Sequence, residues 1–265
     1  MAIRASHYPG AQAVARAIAV LKAFTDSQPH LTLAEVTRAT RLNRATAYRL
    51  LAALEKEGLV MRDKQSEAYR LGPEAIALGG RALRANNLRL ACRPDLELLA
   101  QHTHETATLE VLIERDMLIL DEVISPNLVG GAPSVGTRWP AHATSSGKAV
   151  LAFLEAETNA LLRKSLPRLT DHTLTSPEKF RRELATVREQ GYAITIEEIE
   201  AGYAAVSAPV RNHEGRVAAA LCIGGPTARL MAERLAEIAP LVKKAAERAS
   251  HRLGYQPVDK KGGRG

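Results

Sequence analysis

Three groups of residues in this 265-residue chain have types and spacings that chemistry can use. Ser145-Ser-Gly-Lys148 has the S-x-x-K spacing in which a helix-borne lysine activates a serine one turn earlier, as in serine acyl-transferases. The S-D-N and K-T-G elements that complete such a site are absent, and Lys148 is equally explained as a surface or salt-bridge residue. Gly147-Lys148 does not close a phosphate loop either, because His142 stands where the first glycine of G-x-x-x-x-G-K-[ST] must be. His102 and His104, joined by His142 and Cys222, contain enough donors for zinc. Histidines two apart near a helix end are ordinarily surface residues, so no metal and no cofactor is expected, and no catalysis.

The third group is Arg44-Ala45-Thr46 with Tyr48 and Arg49. Arginine can pair with a guanine edge, while threonine and tyrosine reach phosphates. The charge distribution supports that use. Residues 1–93 hold 15 Lys/Arg against 7 Asp/Glu, whereas residues 94–265 hold 21 against 22. A basic first third joined to a slightly acidic remainder fits a polyanion-binding module tethered to a second domain. Only 4% of residues are aromatic, which is thin for stacking single-stranded bases. Duplex DNA is the better expectation.

The elements around these residues agree. Val14, Ala17, Ile18, Leu21 and Phe24 recur at helical spacing and predict a helix over 11–25, stopped before Pro29. Thr32-Leu-Ala-Glu35 is a capping box for a short helix running to about Ala39. Asn43 then caps a third helix, with Ala47, Leu50, Leu51 and Leu54 on its inner face and Gly58 behind it. The pair forms a helix-turn-helix whose second member presents Arg44, Ala45, Thr46, Tyr48 and Arg49. Leu59–Arg62 and Glu67–Leu71 read as strands about the turn Asp63–Ser66, a hairpin carrying Arg62, Lys64 and Arg70. Such a hairpin after a recognition helix is the wing of a winged helix. Pro73 opens a helical stretch over 74–90, weakened at Gly79-Gly80, and Arg93-Pro94 marks the boundary.

Beyond Pro94 the pattern is a helix over 95–102, then a hairpin of Thr108–Glu114 and Met117–Ile124. A loop rich in Gly and Pro spans 125–139. Helices follow from Ser145 to Gln190, then strands at 192–197, 204–211 and 216–223, and a helix over 228–253 interrupted at Pro240. Strand pairs at both ends with helices between them predict an antiparallel sheet flanked by helices, an α+β domain. The expected organisation is therefore a flexible 1–10, a winged helix-turn-helix over 11–72, a linker helix over 73–93, a second domain over 94–254 and a disordered basic tail over 255–265. No apolar run is long enough to span a membrane and the first residues lack a secretory signal, so a cytoplasmic location is expected, with Cys92 and Cys222 as free thiols.

Gly136–Ala152, with the run Trp139-Pro-Ala-His-Ala-Thr-Ser-Ser-Gly-Lys148, resembles the signature of the IclR-type bacterial transcriptional regulators. So do Glu198-Ile-Glu-Ala-Gly202 leading into Val206-Ser-Ala-Pro-Val210, and Ala220-Leu-Cys-Ile-Gly-Gly-Pro226 before Arg229. With Thr46-Ala-Tyr-Arg-Leu-Leu51 the resemblance spans roughly residues 11–253. It implies an N-terminal winged helix-turn-helix, a linker helix and a C-terminal effector-binding domain related to GAF folds. It also implies homodimers or dimers of dimers, a homotetramer, on a palindromic operator in double-stranded DNA, acting as repressor or activator.

The effector site follows from both lines. Ser145 and Ser146 open a helix, where unpaired amides and the dipole favour an anion, so the carboxylate of a small organic acid is expected there. The resemblance adds Thr195, Ala205, Cys222 and Gly224, and Leu128 and Val129 offer an apolar lid. Thr195 stands where an acidic residue is frequent in this family, and Cys222 and Gly224 where serines often occur. Fewer polar anchors predict a larger or more apolar effector, such as an aromatic or branched acid. The competing reading is a nucleic-acid-binding enzyme or adaptor whose second domain mainly oligomerises.

Overall fold

A computed structural model describes residues 11–63, 65–125, 127 and 134–256. Lys64, Leu128 and Val129, the segment 1–10 and most of the tail placed at 255–265 lie outside the described residues.

Helix α1 (Ala11–Leu21) stops four residues short of the predicted end. Thr25 and Gln28 exchange backbone hydrogen bonds of 3.2 and 3.0 Å, and that tight turn takes the groups further helix would need. Helix α2 (Leu33–Thr40) starts at the predicted capping box, with both the Thr32 and the Glu35 side chains bonded across it. Helix α3 (Arg44–Lys56) starts where Asn43 accepts the Thr46 amide at 2.8 Å. Its end is followed by Gly58 at φ +70°, the left-handed conformation that glycine adopts without strain. Strands β1 (Val60–Arg62) and β2 (Tyr69–Leu71) pair antiparallel, and Leu31 bridges to Tyr69 on the other side. Val20, Leu31, Val36, Ala47, Leu51, Val60 and Tyr69 form the core beneath them.

Helix α4 (Pro73–Arg84) has Pro73 in its first turn and passes unbroken through Gly79 and Gly80. The break falls instead at Asn86, which accepts the Arg89 amide at 3.0 Å and so starts α5 (Asn87–Thr103). The single linker helix predicted to end at Arg93-Pro94 is thus two helices, and Pro94 lies within the second. The carbonyl it leaves unpaired, four residues back at Leu90, belongs to a residue 59% exposed and is free to be hydrated. The chain divides at the same break into two compact units, Met1–Ala85 and Asn86–Gly265.

The second unit is built on β3 (Thr106–Ile113), β4 (Asp116–Val123), β5 (Arg138–Pro140), β6 (Ala193–Ile196), β7 (Tyr203–Arg211) and β8 (Val217–Pro226). They form one antiparallel sheet in the order β5-β4-β3-β8-β7-β6. Helices α5 and α9 (Ala232–Arg252) cover one face, packing Leu96, Leu99, Leu235, Ile238 and Val242 onto Leu109, Val206, Leu221 and Ile223. Helices α6 (Ser145–Leu151), α7 (Glu155–Leu162) and α8 (Pro177–Gln190) share the second cluster, where Val150, Phe180, Leu184 and Val187 meet Met117, Val217 and Ala220. Burial on both faces explains the near-continuous apolar run of β8. The α+β architecture read from the sequence stands. The interruption predicted at Pro240 does not occur, because Pro240 and Ala236, whose carbonyl it frees, both face solvent. No helix among the described residues is long and apolar enough to cross a membrane.

Candidate functional site

In the first unit the leucine face of α3 is inward, with Ala47, Leu51 and Leu54 buried and Leu50 partly so. The opposite face is therefore outward by helical period alone. Arg44, Ala45, Tyr48 and Arg49 are exposed and Thr46 is half-buried. Arg44, Ala45 and Tyr48 line a groove with Thr32, Leu33 and Ala34 at the start of α2 and with Arg62, Glu67 and Tyr69 of the hairpin. The N-termini of α2 and α3, whose first amides lack helical partners, both border this groove and favour an anion there.

The structure does not bring all the predicted residues together. Arg62 reaches the groove, but it is ion-paired with Glu67 and its guanidinium lies 5.7 Å from the centre of the Tyr69 ring. Arg70 pairs with Met61 in the ladder and borders a different cleft, with Phe24, Asp26, Pro29 and His30. Alternation along β2 explains the separation, since Tyr69 and Arg70 point to opposite faces. Sequence reasoning missed Thr32, Leu33 and Ala34 as groove residues, having used that stretch only as a helix start. It also missed Glu67, the one acid that lines the groove among the described residues.

In the second unit a cavity of about 420 Å³ opens on the face of the sheet where α6 begins. The ladder register shows how residues distant in sequence arrive there. Thr195 pairs with Ala205, Ala205 with Gly224 and Gly224 with Thr106, so all four share one rung. On the next inward-facing rung Ser207 pairs with Cys222 and Cys222 with Thr108. Ser145, Ser146, Thr195, Ala205, Cys222 and Gly224 all line this cavity.

The two serines are already engaged through their hydroxyls. Ser145 Oγ lies 2.7 Å from Ser207 Oγ and 3.8 Å from Cys222 Sγ. Ser146 Oγ donates to Glu110 Oε2 at 2.5 Å, and Thr108 Oγ1 donates to Glu110 Oε1 at 2.7 Å. The Gly147 amide is taken by Thr144 Oγ1 at 3.1 Å. What α6 offers a ligand is therefore backbone N–H of its first residues rather than side-chain hydroxyl. Burial raises the pKa of Glu110 above the ordinary carboxylate value, with the hydroxyls acting in the opposite sense. Burial, with the nearby Glu110 carboxyl, pushes the Cys222 thiol up to about 12.

Several lining residues were not anticipated. Glu110, Ile119, Trp139 and Tyr203 line the cavity, as do Glu105 and Arg229, which form a two-pronged ion pair at 2.6 and 2.8 Å. The expectation of few polar anchors is corrected accordingly. Thr195, Cys222 and Gly224 are poor anchors, but Thr108, Glu110 and Tyr203 restore polarity from other strands. Alternation in Thr106-Ala-Thr-Leu-Glu110 places Thr106, Thr108 and Glu110 on one face, and that signal was available in the sequence.

The rival chemistry finds no assembled site. Lys148 is fully buried and turned to Glu198, with Glu183 at 3.5 Å, while its S-x-x-K partner Ser145 faces Ser207. Lys148 is thus a salt-bridge residue, but an interior one. Burial raises the pKa of Glu198 and the lysine charge opposes that rise. His102 bonds the Leu98 carbonyl at 2.7 Å and His142 the Pro167 carbonyl at 2.9 Å. Among the described residues no group of three His, Cys, Asp or Glu is placed to hold a metal.

Comparison with known proteins covers nearly the whole chain. Residues 80–251 match the family model described as bacterial transcriptional regulator IclR C-terminal, and residues 13–64 that of the IclR helix-turn-helix domain. The HTH-type transcriptional regulator XynR of Escherichia coli is 32% identical over 93% of this chain and 99% of its own length. The transcriptional repressor IclR of the same organism is 30% identical over 92% and 90%. Among solved structures, an IclR transcriptional regulator from Alicyclobacillus acidocaldarius superposes with a TM-score of 0.83 at 31% identity, covering 92% of this chain and 99% of that one. An IclR homologue from Microbacterium hydrocarbonoxydans complexed with 4-hydroxybenzoate gives 0.78 at 29% identity, covering 91% and 98%.

Proposed function

The chain belongs to the IclR family of bacterial transcriptional regulators, and from that premise we propose that it is a one-component switch whose DNA affinity is set by a small organic acid bound in the sheet cavity. Its relatives are regulators rather than enzymes, and its first unit is a DNA-binding helix-turn-helix. Arg44, Ala45, Thr46, Tyr48 and Arg49 read the major groove of a palindromic operator. Arg62 and Lys64 contact the backbone beside it, and Arg70 reaches phosphate from the other side of the hairpin.

Two copies are needed to read two half-sites about 34–36 Å apart. A homodimer is supported by α4, which has no buried residue and exposes Ile76 and Gly79 in line with a half-buried Leu83, at the i, i+3, i+7 spacing of an unpartnered stripe. A dimer of dimers extends the same reading to longer operators. The work is done in the cytoplasm, on chromosomal DNA, with no membrane involved.

In the second unit the effector's carboxylate docks against the first amides of α6, at Ser145 and Ser146, over Thr195, Ala205, Cys222 and Gly224. The observation that carries this reading is the cavity itself, which is floored by the sheet, amphipathic and lined by Ser145 and Ser146 at a helix N-terminus. The 4-hydroxybenzoate held by the homologue supports an acid of that size.

The test is reciprocal. Duplexes selected from a random pool serve as operator, and their affinity is measured by fluorescence anisotropy with and without each of a panel of metabolic acids. A true effector changes operator affinity by some factor, and operator changes effector affinity by the same factor. An acid that binds tightly yet leaves operator affinity unaltered would return the second domain to a merely oligomerising role.

A further inference from the structure

The cavity is polar at two levels that the sheet spaces apart. Ser145, Thr108 and Glu110 gather about the rung of Cys222. Two residues further along β8, about 7 Å away at roughly 3.4 Å per residue, Gly224 faces the same cavity. A Cβ at Gly224 would stand 1.9 Å from the Tyr203 hydroxyl oxygen, a distance no side chain tolerates. The phenol and any larger residue at 224 therefore exclude one another, and the phenol holds the space that a side chain at 224 would present. Among the described residues nothing hydrogen-bonds that hydroxyl. The residue as a whole is 37% exposed, but its hydroxyl end is tucked over the sheet. Desolvation there, then Cys222, Glu110, Glu200 and Glu105, raise its pKa above the ordinary tyrosine value, so the group stays a donor. Of the other charged groups facing it, Arg229 is committed to Glu105. Ile119 and Trp139 add apolar surface to the lining, and Ala205 does so on the Gly224 rung itself.

We propose that Tyr203 is the second reading point of the cavity: held over Gly224, its hydroxyl donates to a polar group that the effector carries one ring length from its carboxylate. The assignment rests on the acid-binding reading above and narrows it to acids with a para-type second polar group on a flat body. Two-carbon and three-carbon keto acids, whose polar groups sit on adjacent atoms, cannot reach both levels at once.

Full-length protein is titrated calorimetrically with 4-hydroxybenzoate, benzoate and pyruvate. The expected order is 4-hydroxybenzoate tighter than benzoate by about tenfold, as one added hydrogen bond allows, with pyruvate weakest. Tyr203→Phe should bring the first two acids to near parity while leaving benzoate affinity where it was. Gly224→Ser, which expels the phenol, should also lose the preference, and an unchanged unliganded melting midpoint in either variant shows that the fold is intact. A preference that survives Tyr203→Phe, or pyruvate binding tighter than both aromatic acids, overturns the two-point reading and leaves the acid site standing. Silence from all three acids, with operator binding also unaffected by them, overturns the acid site itself.

Discussion

The two functional regions of this chain use polar residues in opposite ways. In the first unit the working groups are exposed, as Arg44, Tyr48 and Arg49 are on the outer face of α3. In the second unit they are buried and tied to one another, as Ser145 is to Ser207 and Ser146 to Glu110. A surface that meets a polyanion needs charge without prior commitment, because its partner brings the counter-charge. A cavity that meets one small molecule needs its donors and acceptors fixed before the ligand arrives, since ordering them afterwards costs affinity. Exposed charge should therefore govern binding and hardly touch stability, while buried polar groups should govern stability as strongly as binding.

The steepest effect expected is on Lys148. It is fully buried, and its ammonium is held between Glu198 and Glu183. Lys148→Met leaves Glu198 as an uncompensated buried carboxyl, one of whose oxygens already lacks a partner. The expected loss is about 3–5 kcal/mol in urea unfolding, whereas pairing it with Glu198→Leu should recover most of that. A loss below about 1 kcal/mol would mean that water reaches this pair and that the contrast between the two units is overdrawn.

Arg49 tests the other side. Arg49→Ala should weaken operator binding by about 1–3 kcal/mol and leave the unfolding midpoint within error, as should Arg44→Ala. These residues were legible in the sequence because a helix has one period. Once Ala47, Leu51 and Leu54 define the inner face, the outer face follows without any tertiary knowledge. The capping residues Thr32, Glu35 and Asn43 were legible for the same reason, being local. Asn86 carried a comparable signal and went unread beside the louder Gly79-Gly80 and Arg93-Pro94.

The cavity was half legible. Ser145, Ser146, Thr195, Ala205, Cys222 and Gly224 were found through the resemblance, and the rungs of the sheet now account for their meeting. Tyr203 was missed because its place depends on register and on the absence of a Cβ at Gly224, which are long-range facts, whereas the alternation that sets Glu110 beside Thr108 was local and went unread. Glu110 also sharpens the comparison through pH. Its pKa is raised in the folded chain, so the folded state binds a proton more readily than the unfolded one. Stability should rise as pH falls from above the folded pKa toward the ordinary carboxylate value near 4.5, and be lowest above both. Glu110→Gln keeps the acceptor for Ser146 and removes the charge, so the slope contributed by Glu110 should vanish. Urea unfolding followed between pH 5 and 8 measures it, and equal slopes in the two proteins would show that Glu110 is not buried in solution.

The smallest change in stability and the most telling sign belong to Glu67. It is an acid inside an otherwise basic groove, paired with Arg62, and its side chain is 61% exposed. An exposed pair of this kind contributes no more than about 1 kcal/mol to stability. Its cost to DNA binding is larger in kind, because Glu67 both repels phosphate and occupies the guanidinium that would otherwise meet it. Glu67→Gln should therefore leave the fold unchanged and tighten operator binding several-fold at low salt. It should also steepen the fall of affinity with salt, as one more phosphate contact does. Weaker binding would instead mean that Glu67 serves by positioning Arg62 over Tyr69, so that the pairing orients the arginine rather than restraining it.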